Sequence, residues 1–220
     1  MHKTGAVAVA VAVAFALITI APSSVAADKA AVAVALRVQR LYGKLKSYRA
    51  KFTQTYRNKV HKKKKVSAGK VAFARKGKLS FRYDKPAGNR VVSDGKKIKV
   101  YDRAARQMYE RKVTKSQYPA SLAFLSGKGK LVRDFKLRLI KPKRLKRGYV
   151  LEAVPLEATP AYRKVLMYVD GKTAKVRRVL IIDAQGNTNR FDFSKPVVNE
   201  KISDREFRFF PPAGTNIVKP

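Results

Sequence analysis

Hydrophobic and polar positions divide this chain into three kinds of pattern. Residues 6–20 form an apolar run without a charged side chain. Between residues 30 and 45, Val34, Leu36, Val38, Leu41 and Leu45 stand among Arg37, Arg40 and Lys44 at spacings that predict an amphipathic helix. The period then changes to two. Tyr48, Ala50 and Phe52 point one way and Arg49, Lys51 and Thr53 the other, which predicts a strand. The same alternation returns over residues 79–83 and 97–100, and most clearly in Phe135-Lys136-Leu137-Arg138-Leu139. Turn chemistry separates these runs at Lys85-Pro86-Ala87-Gly88, Ser93-Asp94-Gly95, Arg147-Gly148, Asp170-Gly171 and Asp183-Ala184-Gln185-Gly186-Asn187. Many short strands at hairpin spacing predict a mainly β fold: an antiparallel sheet, curled or closed, with one apolar, aromatic face and one basic face. One stretch departs from the alternation. Tyr118, Leu122, Phe124 and Leu125, ahead of Ser126-Gly127-Lys128-Gly129, predict a short apolar helix with a flexible exit, either a cover over the sheet or a crossover helix packed on the core.

The first apolar run follows a short basic start and leads through Pro22 into Ser24-Val25-Ala26-Ala27, which reads as an export signal cleaved after Ala26 or Ala27. Its length of about 15 residues is short of the roughly 20 that a spanning helix needs. Residues 1–27 are therefore expected to be a signal peptide and 28–220 a single exported domain. The chain has no cysteine, so in an oxidising compartment this domain relies on sheet pairing and apolar burial. Charge then changes the picture. With 51 Lys and Arg against 14 Asp and Glu the formal charge is +37, and losing Lys3 with the leader leaves +36. Such an excess attracts polyanions, of which export makes nucleic acid the least expected. Cations at alternate strand positions suit a solvated outer face or a polyanion site, and Lys62 to Lys65 beside His61 read as a hairpin tip that is solvated or touches an anionic membrane.

Catalytic chemistry finds little support. Beyond the leader the only histidine is His61, set among lysines, and the chain contains no HExxH, no GxSxG and no phosphate-cradling glycine loop. Asp94, Asp170 and Asp183 sit in turn contexts, where bonding to their own backbone is the ordinary role. The expectation is a non-enzymatic protein with no cofactor, no catalytic residue and no metal, whose apolar sheet face shelters something hydrophobic.

An ordered series of short motifs resembles one family. Tyr48-Arg49-Ala50-Lys51-Phe52-Thr53-Gln54, Gly69-Lys70-Val71-Ala72-Phe73-Ala74-Arg75, Val91-Val92-Ser93-Asp94-Gly95-Lys96 with Tyr101, the Asp183 to Asn187 turn, and Asn199 to Asp204 leading into Phe207-Arg208-Phe209-Phe210-Pro211-Pro212-Ala213-Gly214 are similar to the outer-membrane lipoprotein carriers, the LolA family. The resemblance implies an unclosed antiparallel β-barrel (LolA/LolB-like) with a helical lid over an apolar cavity. It implies a periplasmic chaperone whose cargo is acylated lipoproteins, which receives them from an inner-membrane ATP-driven lipoprotein-releasing transporter and passes them to an outer-membrane acceptor. A carrier alternating between two such partners is expected to be a monomer that binds no nucleic acid.

Inward parity names the expected acyl-chain lining: Phe52, Val71, Phe73, Leu79, Phe81, Tyr83, Ile98, Val100, Phe135, Leu137, Leu139, Met167, Leu180 and Ile182, with Leu122, Phe124 and Leu125 on the lid. Arg75 shares the parity of Val71 and Phe73, and the resemblance makes it the latch that holds carbonyls of the covering helices. Two departures stand out. The family often has proline after the latch arginine, where this chain has Lys76, and the charge is unusually high. A carrier or sensor for another amphiphile, such as an anionic lipid or glycolipid, and a polyanion-binding envelope protein are the alternative readings.

Overall fold

The computed structural model describes residues 28–113, 130–140 and 148–219. The expected signal peptide and the lid residues Leu122, Phe124 and Leu125 lie outside them. Helix α1 runs over Lys29–Lys44, close to the predicted span. It starts where Asp28, with extended backbone, accepts Ala30 N and Ala31 N on its Oδ1 at 3.0 and 3.2 Å, satisfying two of the amides that a helix leaves unpaired. Its buried residues Ala31, Val34, Ala35, Val38 and Tyr42 recur at three- and four-residue intervals and form one stripe.

Among the described residues twelve strands make one sheet. The first six are β1 (Ser47–Arg57), β2 (Lys64–Ala74), β3 (Lys78–Lys85), β4 (Ala87–Asp94), β5 (Lys97–Asp102) and β6 (Gln107–Lys112), an antiparallel meander. A one-turn helix α2 (Leu131–Asp134) precedes β7 (Phe135–Ile140), β8 (Tyr149–Pro155), β9 (Lys164–Val169), β10 (Val176–Ile182) and β11 (Thr188–Val198), a second meander. The two are joined where β11 pairs antiparallel with β1, and β12 (Asn216–Val218) adds in parallel beside β6. The strand order β12-β6-β5-β4-β3-β2-β1-β11-β10-β9-β8-β7 leaves β12 and β7 unpaired to each other, so the barrel is unclosed. Lys64 and Lys65 extend β2 opposite Arg57 and Tyr56, so the turn between β1 and β2 is 58–63 rather than the lysine run itself.

Tight turns set the registers. Asp94 Oδ1 accepts Lys96 N and Lys97 N at 2.7 and 2.8 Å, and Asp183 accepts Asn187 N at 2.8 Å. Gly95 is required by its neighbour: at φ +95° a Cβ there would lie 2.1 Å from the Lys76 carbonyl oxygen.

The main core lies on one face of the sheet. Side chains of β1, β2, β3 and β7 to β11 join the α1 stripe in a single buried cluster. The helix packs on α2, β7 and β8. Its far end reaches β1 and β10, with the Tyr42 ring 6.1 Å from Tyr48 and the Tyr42 hydroxyl accepting Val176 N at 3.0 Å. The other face departs from the uniformly basic surface that the alternation suggests. Over β3 to β6 it buries Ser80, Arg90, Val92, Tyr101 and Met108. The segment after β11 lies there, with a 3-10 turn (Asp204–Phe207), a buried Phe207, and Phe209 with its ring 5.2 Å from Tyr101.

Candidate functional site

Aromatic side chains concentrate on the helix-covered face of β1, β2, β3 and β11, because strand register brings positions of one parity into line. Tyr48 opposes Phe73 across β1 and β2, Phe73 opposes Leu79 and Val71 opposes Phe81 across β2 and β3, and Phe52 opposes Phe193 across β1 and β11. The rings close a circuit: Tyr48 to Phe73 6.0 Å, Phe73 to Phe81 5.9 Å, Phe81 to Phe191 5.7 Å, Phe191 to Phe193 6.4 Å and Phe193 back to Tyr48 6.5 Å. Phe52 sits against this circuit, 5.0 Å from Phe81 and 5.1 Å from Tyr83, mostly edge to face. Gly69 lies opposite Phe52, at a bulge where a Cβ would fall 2.0 Å from the Arg82 carbonyl oxygen.

The lane ends in polar groups. Tyr83 donates its hydroxyl to Gln54 Oε1 at 2.8 Å, and Gln54 Nε2 donates to Asn189 Oδ1 at 3.0 Å. Burial pushes the Tyr83 phenol up to about 12, so it remains a hydrogen-bond donor. Beyond this trio opens a cavity of about 250 Å³ lined by Gln54, Tyr56, Lys65, Ser67, Tyr83, Pro86 and Asn89.

Eleven of the fourteen expected lining residues lie in or against the buried cluster: Phe52, Val71, Phe73, Leu79, Phe81, Phe135, Leu137 and Met167 within it, and Tyr83, Ile98 and Leu139 packed on it. Three do not. Val100 is 40% exposed beside its partner Tyr109 at 39%, because β5 and β6 extend past the cluster. Leu180 and Ile182 have the opposite parity from that expected. The register slips between Val176 and Arg178, so Val179 and Ile181 turn inward instead. Tyr42, Tyr48, Phe191 and Phe193 complete the aromatic group without having been named for the lining. Their signal was present, since Tyr48 shares parity with Phe52, and Phe191 and Phe193 flank Asp192.

Arg75 begins a 3-10 turn (Arg75–Gly77) at the end of β2. Its side chain is exposed and reaches the last turn of α1, where Nε donates to Leu45 O at 3.3 Å and Nη2 to Lys44 O at 3.4 Å. These carbonyls lack intrahelical partners and carry the negative end of the helix dipole, which suits a guanidinium. Lys76 follows with φ +64° and ψ +20°. Proline cannot adopt that φ, which gives a physical reason for its absence here.

An unclosed, mainly antiparallel sheet that folds its aromatic face around a helix defines a half-open β-barrel with an apolar interior. The comparisons name the family. Residues 43–210 match the model of the outer membrane lipoprotein carrier protein LolA, and the chain belongs to that family, which is one of carriers and not of enzymes. Relatives include the outer-membrane lipoprotein carrier protein of Bordetella avium, 31% identical over 93% of this chain and 94% of that protein, and that of Methylibium petroleiphilum, 31% identical over 79% and 83%. A solved structure of an uncharacterized conserved protein from Thermus thermophilus shares the fold, with a TM-score of 0.54 at 12% identity, over 87% of this chain and 99% of that one.

Proposed function

We propose that this protein binds the acyl chains of lipoproteins on the helix-covered aromatic face and carries them through the periplasm, from an inner-membrane ATP-driven transporter to an outer-membrane acceptor. Residues 1–27 then act as the export signal. The observation that carries the reading is the aromatic lane from Tyr48 to Tyr83, which runs from beneath α1 to an open cavity in a chain of the lipoprotein carrier family. Each buried methylene contributes about 0.8 kcal/mol, so a sixteen-carbon chain crossing water unprotected is exposed by roughly 12 kcal/mol. The aromatic rings supply apolar area without directional demands, which suits chains that must also leave. Where these rings now meet each other, entering chains take their place and α1 moves outward. Arg75 works against that opening, because moving α1 breaks its bonds to Lys44 O and Leu45 O.

The test is binding of a fluorescent tripalmitoylated lipopeptide, followed by its transfer to acceptor vesicles. Arg75→Leu is expected to load the lipopeptide normally and to release it at least tenfold more slowly, since an unlatched helix need not reclose after delivery. Normal transfer by that variant removes Arg75 from the mechanism. Failure of the parent protein to bind the lipopeptide removes the carrier reading. Mass spectrometry of what copurifies from the periplasm separates lipoprotein cargo from a free lipid or glycolipid.

A further inference from the structure

The outer face of β1 to β4 carries a feature that acyl transport does not use. Lys51 lies directly opposite Lys70, Lys70 opposite Arg82, and Arg82 opposite Arg90, so four cations form one row across four neighbouring strands. Like charges placed directly across a ladder destabilise it. Lys51, Lys70 and Arg82 of this row line a groove of about 330 Å³, to which Arg49, Lys195 and Glu206 also contribute. Among the described residues Lys51, Lys70 and Lys195 have no carboxylate partner.

One end of the row shows what it accepts. Glu206, from the segment after β11, brings its carboxylate to Arg82 Nη2 at 3.4 Å and Arg90 Nη1 at 3.9 Å, while Ser80 Oγ donates to it at 2.7 Å. Arg90 is 8% exposed, and among the described residues its Nε and Nη1 have no hydrogen-bond partner. The row is thus a carboxylate site, filled at the Arg90 end by the chain itself and open at the Lys51 end.

We propose that this groove docks an acidic, extended segment of a partner protein, whose carboxylates continue the series begun by Glu206 onto Lys70 and Lys51. Strands lie ~4.8 Å apart, so the stretch from Lys51 to Arg82 spans about 10 Å, the length of about three extended residues. A cation-lined groove that already holds a carboxylate at one end fits an acidic peptide better than the flat phosphate plane of a bilayer. The proposal does not depend on the acyl-binding reading, because the groove lies on the opposite face of the same strands.

The test uses the processed full-length protein and a fluorescein-labelled hexaglutamate peptide, with binding read by anisotropy at low and physiological salt. Lys51→Gln with Lys70→Gln is expected to weaken binding about tenfold, and Lys62→Gln with Lys63→Gln, an equal charge loss in the β1–β2 turn, by less than about twofold. Glu206→Gln, which frees the Arg90 end, is expected to tighten it. Equal losses in the two double variants would show a general charge effect and overturn the proposal. So would binding of phosphatidylglycerol vesicles that depends on Lys51 and Lys70 when peptide binding does not. The melting temperature of the Lys51, Lys70 variant is expected to hold or rise, since opposed charges are relieved; a fall would make the lysines structural and also overturn the proposal.

Discussion

At the residue scale, a few side chains do work that their neighbours cannot. Arg75 ties the end of β2 to the carbonyls that close α1, and Lys76 beside it holds a left-handed backbone that only glycine adopts without strain. Lys76→Gly is expected to raise stability by about 0.5 kcal/mol and Lys76→Pro to lower it by about 3 kcal/mol or more, read from urea midpoints. Asp170 closes the turn between β9 and β10. Thr173 donates to it from both backbone and hydroxyl, and together with Arg177 this lowers its carboxyl to about 2. A group depressed in the folded state stabilises above its unfolded value and loses that effect as pH falls through the folded one. Asp170→Asn is therefore expected to lower the urea midpoint at pH 6, and the gap to the parent to close as pH drops from about 4 to about 2.

At the element scale, α1 decides how the aromatic face is covered. Asp28 caps it and also accepts Leu139 N on its second oxygen at 2.9 Å, which ties the helix start to the edge strand β7. The other end is held by Arg75, by Tyr42 on Val176 N, and by Arg37 on the carbonyls of Gly171 and Lys172 at 2.9 and 3.2 Å. Asp28→Ala removes cap and tie together and is expected to cost about 1 to 2 kcal/mol in chemical denaturation, with Asp28→Asn closer to the parent. The helix was legible to within a residue, because its apolar spacing is a local signal, whereas the Asp28 cap emerged only in the structure. Strand parity was legible for β1, β2, β3 and β7. It failed at β10, where Val176-Arg177-Arg178-Val179-Leu180-Ile181-Ile182 is apolar on both parities at its end, and a bulge reversed the side that faces inward.

For the whole molecule, the two faces of the sheet separate two kinds of chemistry. Apolar burial is insensitive to ionic strength, whereas attraction between exposed charges fades within a Debye length of about 8 Å at physiological salt. Lipopeptide binding is therefore expected to change by less than about twofold between ~50 mM and ~500 mM salt, while hexaglutamate binding is expected to be lost. Salt-sensitive lipopeptide binding would place the cargo on the cationic face. The outer surface is also less uniform than its composition suggests. Val92, Tyr101, Met108 and Phe207 are buried there and Phe209 packs on Tyr101, so a second buried patch lies behind β3 to β6.

By itself the sequence determined the helix, the strand alternation, the turn aspartates and the family, since each depends on residues near one another or in a fixed order. The tertiary structure alone decided which strands became neighbours. It brought Phe191 and Phe193 from the last long strand against Tyr48 and Phe52 of the first, placed Glu206 at the end of a four-strand cation row, and gave Arg75 the carbonyls of α1. These contacts depend on pairings between distant segments and on single-residue slips in register, and alternation with a period of two cannot fix either.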